Sequence, residues 1–244
     1  MAGSGQIWIG TSGWHYAHWV GRLYPEGMLP EDYLAFYAGR FDTVEINNTF
    51  YQLPSQAAVL QWRRSVPPGF IFAVKASRYI THFKKLKDPE EPLANVIGRV
   101  GLLGDRLGPI LFQLPPRWRL DLERLRRFLA VLPPGQRYAF EFRDPSWLDE
   151  RVYRELSNHG AALCVYDLGG HWSPEVVTAD FVYVRFHGPD GRYQGHYRTE
   201  ELAERAATFR GWAKQGRDVY AYFNNDWQGH AVRDATELLE LLGS

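Results

Sequence analysis

The chain has 244 residues, with 28 Lys and Arg against 28 Asp and Glu, so its formal net charge is zero. That length suits one large domain, a (β/α)8 barrel needing about 250 residues. The charge balance removes any whole-chain argument for nucleic acid or an anionic membrane and leaves only local patches. The single cysteine, Cys164, sits in an apolar run and excludes an internal disulfide or a cysteine-based zinc site. The opening residues lack a basic start and an apolar signal core, and no apolar run reaches membrane-spanning length. The expectation is a cytoplasmic protein with no membrane association. Aromatics make up 15% of the chain, including nine Trp, a residue that often lines binding surfaces.

In chain order, Ile7–Gly10 reads as a first strand leading into Thr11-Ser-Gly-Trp-His-Tyr16. A helix over Glu31–Arg40 follows, with Pro30 near its start. Thr43–Asn47 is the second strand. Ser55 is an N-cap for a helix that ends before Pro67-Pro68. Phe70–Ala76 is the third strand, and a long loop, Ser77–Pro92, holds Thr81-His82 and the basic run Lys84-Lys85-Leu-Lys87. A helix is expected over Leu93–Leu107, then a strand over Pro109–Leu114. The next helix spans Asp121–Leu132, with a capping acid and an apolar stripe at Leu122, Leu125, Phe128, Leu129 and Leu132. The fifth strand starts after Pro133-Pro134-Gly135 and is stopped by Pro145. Further on come a helix over Asp149–His159, a strand over Ala161–Tyr166 and a connection, Asp167–Ala179, with room for a short helix at most. The chain ends with a strand over Phe181–His187, the glycine-rich loop Gly188–Tyr197, a helix over Thr199–Gln215 with Gly216 as its C′ residue, a strand over Asp218–Phe223 and a helix over His230–Leu242.

Eight strands alternating with about eight helices imply an α/β fold with a parallel sheet. Neither a linker nor a repeat divides the chain, so the expectation is one domain over 1–244, a single (β/α)8 TIM-like barrel. An open doubly wound sheet would want G-x-G-x-x-G at its first turn, and Gly10-Thr-Ser-Gly13 lacks that spacing.

Alternation along each strand sets the candidate site, because residues two apart share a face. Glu141 and Arg143 share one face of the fifth strand, with Tyr138, Phe140 and Phe142 on the other. Glu45 pairs with Asn47 in the same way, Lys75 with Ser77, Arg185 with His187, and Tyr222 with Asn224. In each strand the polar residues come last, as in barrels whose working residues ring the C-terminal mouth. Gln113 and Asp167 fill the ends of two more strands, and His82 is placed beside them by its loop. Trp14, Tyr16, Tyr51, Trp147, Trp172, Tyr193, Tyr197 and Trp227 are the aromatic wall candidates, with Trp14, Tyr51 and Trp147 placed at the site. Glu141 or Glu45 is the expected proton-transfer carboxylate, tuned by Arg143 and Lys75, and His187 a second acid–base or positioning group. Lys75, Arg143 and Arg185 are expected to hold an anion, which makes a small phosphorylated or nucleotide-like substrate the leading class and a nucleic-acid strand its extended form. No cofactor and no obligate protein partner is expected.

Four rival readings share these residues. Acids and cations could simply pair to close the top of the barrel. Glu45, Glu141, Asp167 and His187 are ligand types for a divalent cation, although no H-x-H or H-E-x-x-H spacing supports one. Glu45 and Glu141 could also flank a glycosidic bond, although Gln113, Arg185 and His187 stand where barrel glycosidases commonly place their pair. The same ring on a non-catalytic protein would grip a polyanion.

Beyond these residues, the chain resembles the domain-of-unknown-function 72 family, the YecE-like proteins. The matching stretches are Ile9-Gly-Thr-Ser-Gly-Trp-His-Tyr16 with Trp19 and Tyr24-Pro25, Thr43-Val-Glu-Ile-Asn-Asn-Thr-Phe-Tyr51, and Lys75 with Ile80-Thr-His82. They continue with Phe112-Gln-Leu-Pro-Pro116, Glu141-Phe-Arg143 with Ser146-Trp147, Arg185-Phe-His-Gly188 and Tyr222-Phe-Asn-Asn225, nearly end to end. The resemblance implies a TIM-like barrel and brings no reaction with it, so function must be argued from the site.

Overall fold

A computed structural model describes residues 3–243. The strands are β1 (Ile7–Thr11), β2 (Thr43–Ile46), β3 (Ile71–Lys75), β4 (Leu107–Gln113), β5 (Tyr138–Glu141), β6 (Ala162–Leu168), β7 (His171–Trp172), β8 (Phe181–Phe186) and β9 (Asp218–Phe223). The helices are α1 (Tyr33–Tyr37), α2 (Gln56–Arg64), α3 (Glu90–Val100), α4 (Leu122–Ala130), α5 (Glu150–Asn158), α6 (Thr199–Lys214) and α7 (His230–Gly243). Strand order is β1-β9-β8-β6-β5-β4-β3-β2, with β7 paired to β6 off that path. Pairs β1–β9, β8–β9, β3–β4, β4–β5 and β5–β6 are parallel. The fold is therefore α/β, of the (β/α)8 TIM-like barrel class.

Contacts gather in two compact units. The first holds the described residues up to Glu45, Val165–Glu175 and the described residues from Asp180 onward; the second holds Ile46–Cys164 and Val176–Ala179.

In the first unit, Trp19, Tyr24 and Tyr37 are buried and Tyr24 stacks on Tyr33 at 4.0 Å. The Tyr37 hydroxyl ties β1 to β2: it receives the Thr11 N–H at 3.0 Å and donates to the Thr43 carbonyl at 3.0 Å. Phe186 and Phe223 stack at 4.1 Å behind β8 and β9. In the second unit the aromatic face foreseen for β5 packs under α4. Phe140 lies 5.3 Å from Phe112 and 6.1 Å from Phe128, and Phe142 stacks on Trp147 at 5.0 Å. The stripe of α4 buries Leu125, Phe128 and Leu129, and Asp121 accepts the Arg124 N–H at 3.0 Å as its cap. Ser55 caps α2 in the same way, receiving the Ala58 N–H at 3.1 Å.

Four expectations move. The helix drawn over Glu31–Arg40 is a 3-10 turn, Pro30–Asp32, followed by the five-residue α1. The helix drawn over Leu93–Leu107 starts three residues earlier and becomes a 3-10 stretch, Gly101–Arg106, in which Gly104 takes φ +62; glycine enters that region without the Cβ clash. The strand drawn to stop at Tyr166 continues to Leu168 and turns back through Gly169 and Gly170, at φ +64 and +75, into β7. Two successive positive-φ residues suit a tight hairpin, so the connection holds a ribbon where a short helix had been allowed. The long loop after β3 contains a π-helical turn, Tyr79–Phe83, and non-glycine residues Lys85, Leu86 and Asp88 at positive φ.

Candidate functional site

In the first unit a polar cluster forms where β1, β2, β8 and β9 end. Glu45 is fully buried and accepts from three donors: Ser12 Oγ at 2.7 Å, Tyr183 OH at 2.7 Å and Arg185 Nη2 at 2.7 Å. Ser12 reaches it because β1 and β2 bridge in parallel at Ser12 and Glu45. Tyr183, Arg185 and His187 follow one another on the same face of β8, as alternation requires. Burial, then the Glu45 charge, holds the Tyr183 hydroxyl well above its usual range, so it stays a donor to the carboxylate. Arg185 Nη1 lies 3.5 Å from His187 Nε2, and the Asn224 side-chain amide lies 3.2 Å from His187 Nδ1. The facing atoms are Asn224 Nδ2 and the Arg185 guanidinium, both donors, so donor groups stand at both ring nitrogens of His187. The result is a continuous chain from half-exposed Asn224 through buried His187 and Arg185 to buried Glu45. Below it, Thr43 Oγ1 and the Tyr222 hydroxyl meet at 2.8 Å.

Asp167 does not join this chain. Tyr166 turns its ring toward His187, at 6.1 Å, so the next residue points to the opposite face of β6. There Asp167 Oδ2 accepts from the Tyr197 hydroxyl at 2.5 Å, and that hydroxyl receives the Gly188 N–H at 2.9 Å. Asn225 also turns away from Asn224: its Nδ2 donates to Asp234 Oδ2 at 2.6 Å, and the Tyr197 N–H reaches the same oxygen at 3.2 Å. Burial raises the Asp234 carboxyl to about 6.

In the second unit Glu141 is fully buried; Gln113 Nε2 donates to its Oε1 at 2.8 Å and Arg143 pairs with the same oxygen. The parallel register that sets Gln113 beside Glu141 brings these two strand ends together. Buried Cys164 lies 4.0 Å from Glu141 Oε2.

A second cluster of that unit surrounds Phe50. The Lys75 ammonium sits over its ring at 4.2 Å and His82 meets it edge-on at 5.0 Å. Thr81 Oγ1 bonds His82 Nδ1 at 2.9 Å. Burial foremost, then the charges of Lys75 and Arg78, lower His82 to about 4, leaving it neutral at neutral pH. Nearby, the Arg78 guanidinium lies 5.4 Å from both the Tyr51 and Phe83 rings, and each ring is 67% exposed.

Among the sequence-derived candidates, the structure thus joins Glu45, Arg185, His187 and Asn224 in one unit, and Gln113, Glu141 and Arg143 in the other. Lys75 and His82 meet at Phe50. Trp147 is corrected: it is 0% exposed, stacked on Phe142 with its indole N–H given to the Trp118 carbonyl at 2.5 Å, so it is core. Trp14 is also buried, and its carbonyl receives the Tyr24 hydroxyl at 2.5 Å. Asn47 is half-buried with its Oδ1 shielded and without a hydrogen-bond partner. Among the described residues, no three His, Cys, Asp or Glu side chains gather to hold a metal ion. The glycosidase reading weakens on chemistry, because both oxygens of Glu45 already accept bonds and Glu141 Oε1 is shared by Gln113 and Arg143. Ser12 and Tyr183 were missed as partners of Glu45, although Tyr183 was visible two residues before Arg185 on the same strand face.

A barrel-class chain whose strand ends bear buried carboxylate–arginine pairs is thereby defined. Residues 8–244 match the family described as protein of unknown function DUF72, and the chain belongs to that family. A DUF72-family protein of Thermotoga maritima, known from its crystal structure, is 31% identical, with a TM-score of 0.89 over 98% of this chain and 100% of that one. The UPF0759 protein YunF of Bacillus subtilis is 26% identical, over 97% of this chain and 94% of its own. The UPF0759 protein YecE of Escherichia coli is 31% identical, over 63% of this chain and 54% of its own. Among the described residues no helix is long and apolar enough to cross a membrane.

Proposed function

We propose that the protein is an enzyme that performs hydrolase- or lyase-like acid–base chemistry on a small anionic substrate, phosphorylated or nucleotide-like. The observation that carries this reading is the chain Asn224–His187–Arg185–Glu45. The buried imidazole of His187 lies against the Arg185 guanidinium and the Asn224 amide, which hold it in place. Its Nδ1 faces the partly buried Asn224 amide, the direction from which substrate would arrive. Glu45, locked by Ser12, Tyr183 and Arg185, fixes the guanidinium, so the imidazole is pre-set rather than free to rotate. Arg185 retains an electrostatic role toward developing negative charge near His187. The anionic class has separate support in the second unit: Lys75 above Phe50, and Arg78 between exposed Tyr51 and Phe83, combine positive charge with ring faces. Base and sugar rings stack on such faces while phosphates meet the cations.

A second reading, a non-catalytic polyanion-binding module, draws on one observation. Residues 75–87 contain Lys75, Arg78, Lys84, Lys85 and Lys87 and no acid. The two readings separate on variants. A panel of phosphorylated sugars, nucleotides and short oligonucleotides is screened for binding and turnover. For the enzyme, His187→Gln and Glu45→Gln keep binding and lose turnover, whereas Arg78→Ala weakens binding. Absence of turnover with every member, together with oligonucleotide binding that His187→Gln leaves unchanged, decides for the binding module.

A further inference from the structure

A cavity of about 260 Å³ opens in the first unit between the end of β6 and the start of α6. Asp167 and Tyr197 form its floor, Trp172 one side, and Glu200, Glu201 and Glu204 much of the rest. Asp167 Oδ2 is fixed by the Tyr197 hydroxyl, itself held by the Gly188 N–H. Asp167 Oδ1 is shielded from solvent and has no hydrogen-bond partner. A buried carboxylate oxygen left without a donor is costly, and structures rarely retain one without cause. The two arginines at the cavity do not supply the donor. Arg198 pairs with Glu201 at 3.1 Å, and Arg205 pairs with Glu175 at 2.5 Å while lying 4.5 Å from the Trp172 ring centre.

We propose that this cavity is a second binding site, separate from the Glu45–His187 chain, for a small organic cation whose ammonium or guanidinium group donates to Asp167 Oδ1. The walls are acidic beyond what the two arginines neutralise, and the floor presents an acceptor already immobilised. The ligand has to be small, because pockets for drug-sized molecules begin at about 300 Å³. Trp172 shows that its face accepts a planar cation, since Arg205 occupies it. Burial foremost, with the Glu201 charge adding to it, raises the Asp167 carboxyl above its usual range, against the Tyr197 hydroxyl, the Gly170 N–H and His171, which act to lower it.

The test is a two-dimensional NMR titration of the full chain with methylammonium, methylguanidinium and, as a control anion, acetate. The two cation arms tell ammonium from guanidinium. The expected result is saturable shifts at the Gly170 and Gly188 amides and the Trp172 indole N–H with at least one cation and none with acetate. Asp167→Asn should weaken binding by about tenfold or more, since it removes a charged acceptor from a buried hydrogen bond. Glu204→Gln, on the exposed wall, should weaken it by about two- to threefold. Glu45→Gln should leave the shifts in place, so failure of the acid–base reading does not touch this one. The proposal is overturned if neither cation gives saturable shifts, if acetate gives the same ones, or if Asp167→Asn binds as well as the parent. Should Asp167→Asn fail to fold, Glu204→Gln decides, and unchanged affinity there overturns it.

Discussion

Glu45 and Arg185 lie 140 residues apart in the chain and meet at 2.7 Å, both fully buried. A pair like this is weak evidence for net stability, but breaking it on one side is severe. Arg185→Met should cost about 3–5 kcal/mol, because it leaves a buried carboxylate with its cation gone. Adding Glu45→Gln to Arg185→Met should recover part of that loss. Urea unfolding of the two single variants and the double variant gives the coupling, and additive losses would show that the two residues do not act as a unit.

His82 should show no titration in the physiological range. Burial first, then Lys75, then Arg78 bring it to about 4, against an ordinary imidazole value of 6.5. Between those two pH values the unfolded chain binds more protons than the native one, so this group's contribution to stability is lost as pH falls from 6.5 toward 4. The imidazole C–H resonance should move only near pH 4 in the parent and at a higher pH in Lys75→Met.

Asp234 carries the opposite sign. Its carboxyl is raised by burial from 3.8 to about 6. The native state therefore holds a proton that the unfolded chain has lost, and stability declines as pH rises through that window. Both donors to this side chain, Asn225 Nδ2 and the Tyr197 N–H, go to Oδ2, so an amide oxygen can keep them. Asp234→Asn should be more stable than the parent at pH 7, by up to about 3 kcal/mol, with a smaller difference at pH 4. Thermal melts at the two pH values check it.

Trp147 and Tyr51, both aromatic candidates from the sequence, should separate on stability alone. Trp147 is 0% exposed and Tyr51 is 67% exposed. Trp147→Ala should cost about 3–5 kcal/mol through the cavity it leaves, and Tyr51→Ala within about 0.5 kcal/mol. Chemical denaturation measures both.

The strand phases were legible because period-two alternation is a property of the backbone. Glu45, Glu141, Arg185, His187 and Asn224 all sit on the faces that alternation assigns. The phase of β6 failed for a physical reason. Cys164 and Tyr166 look like ordinary core or loop residues, so the one conspicuous acid, Asp167, was given the inward face; Tyr166 holds that face and Asp167 turns toward α6. Trp147 was misplaced because an aromatic after a strand end can stack on the strand's own outer face, as it does on Phe142, and sequence spacing does not tell that from a mouth position. Arg143 beside Glu141 was legible, two residues away on the same strand face, but the partners that come from other strands, Arg185 for Glu45 and Gln113 for Glu141, were out of reach. Parallel register between strands far apart in sequence fixes them, and no local pattern encodes that register.

The burial of Cys164 against Glu141 gives the protein a built-in reporter. As the chain's only thiol, with 1% exposure, it is out of reach of an alkylating reagent while the surrounding strands hold. The pace of its labelling therefore measures how often that part of the molecule breathes open, with no engineered probe and no other sulfhydryl to confuse the signal.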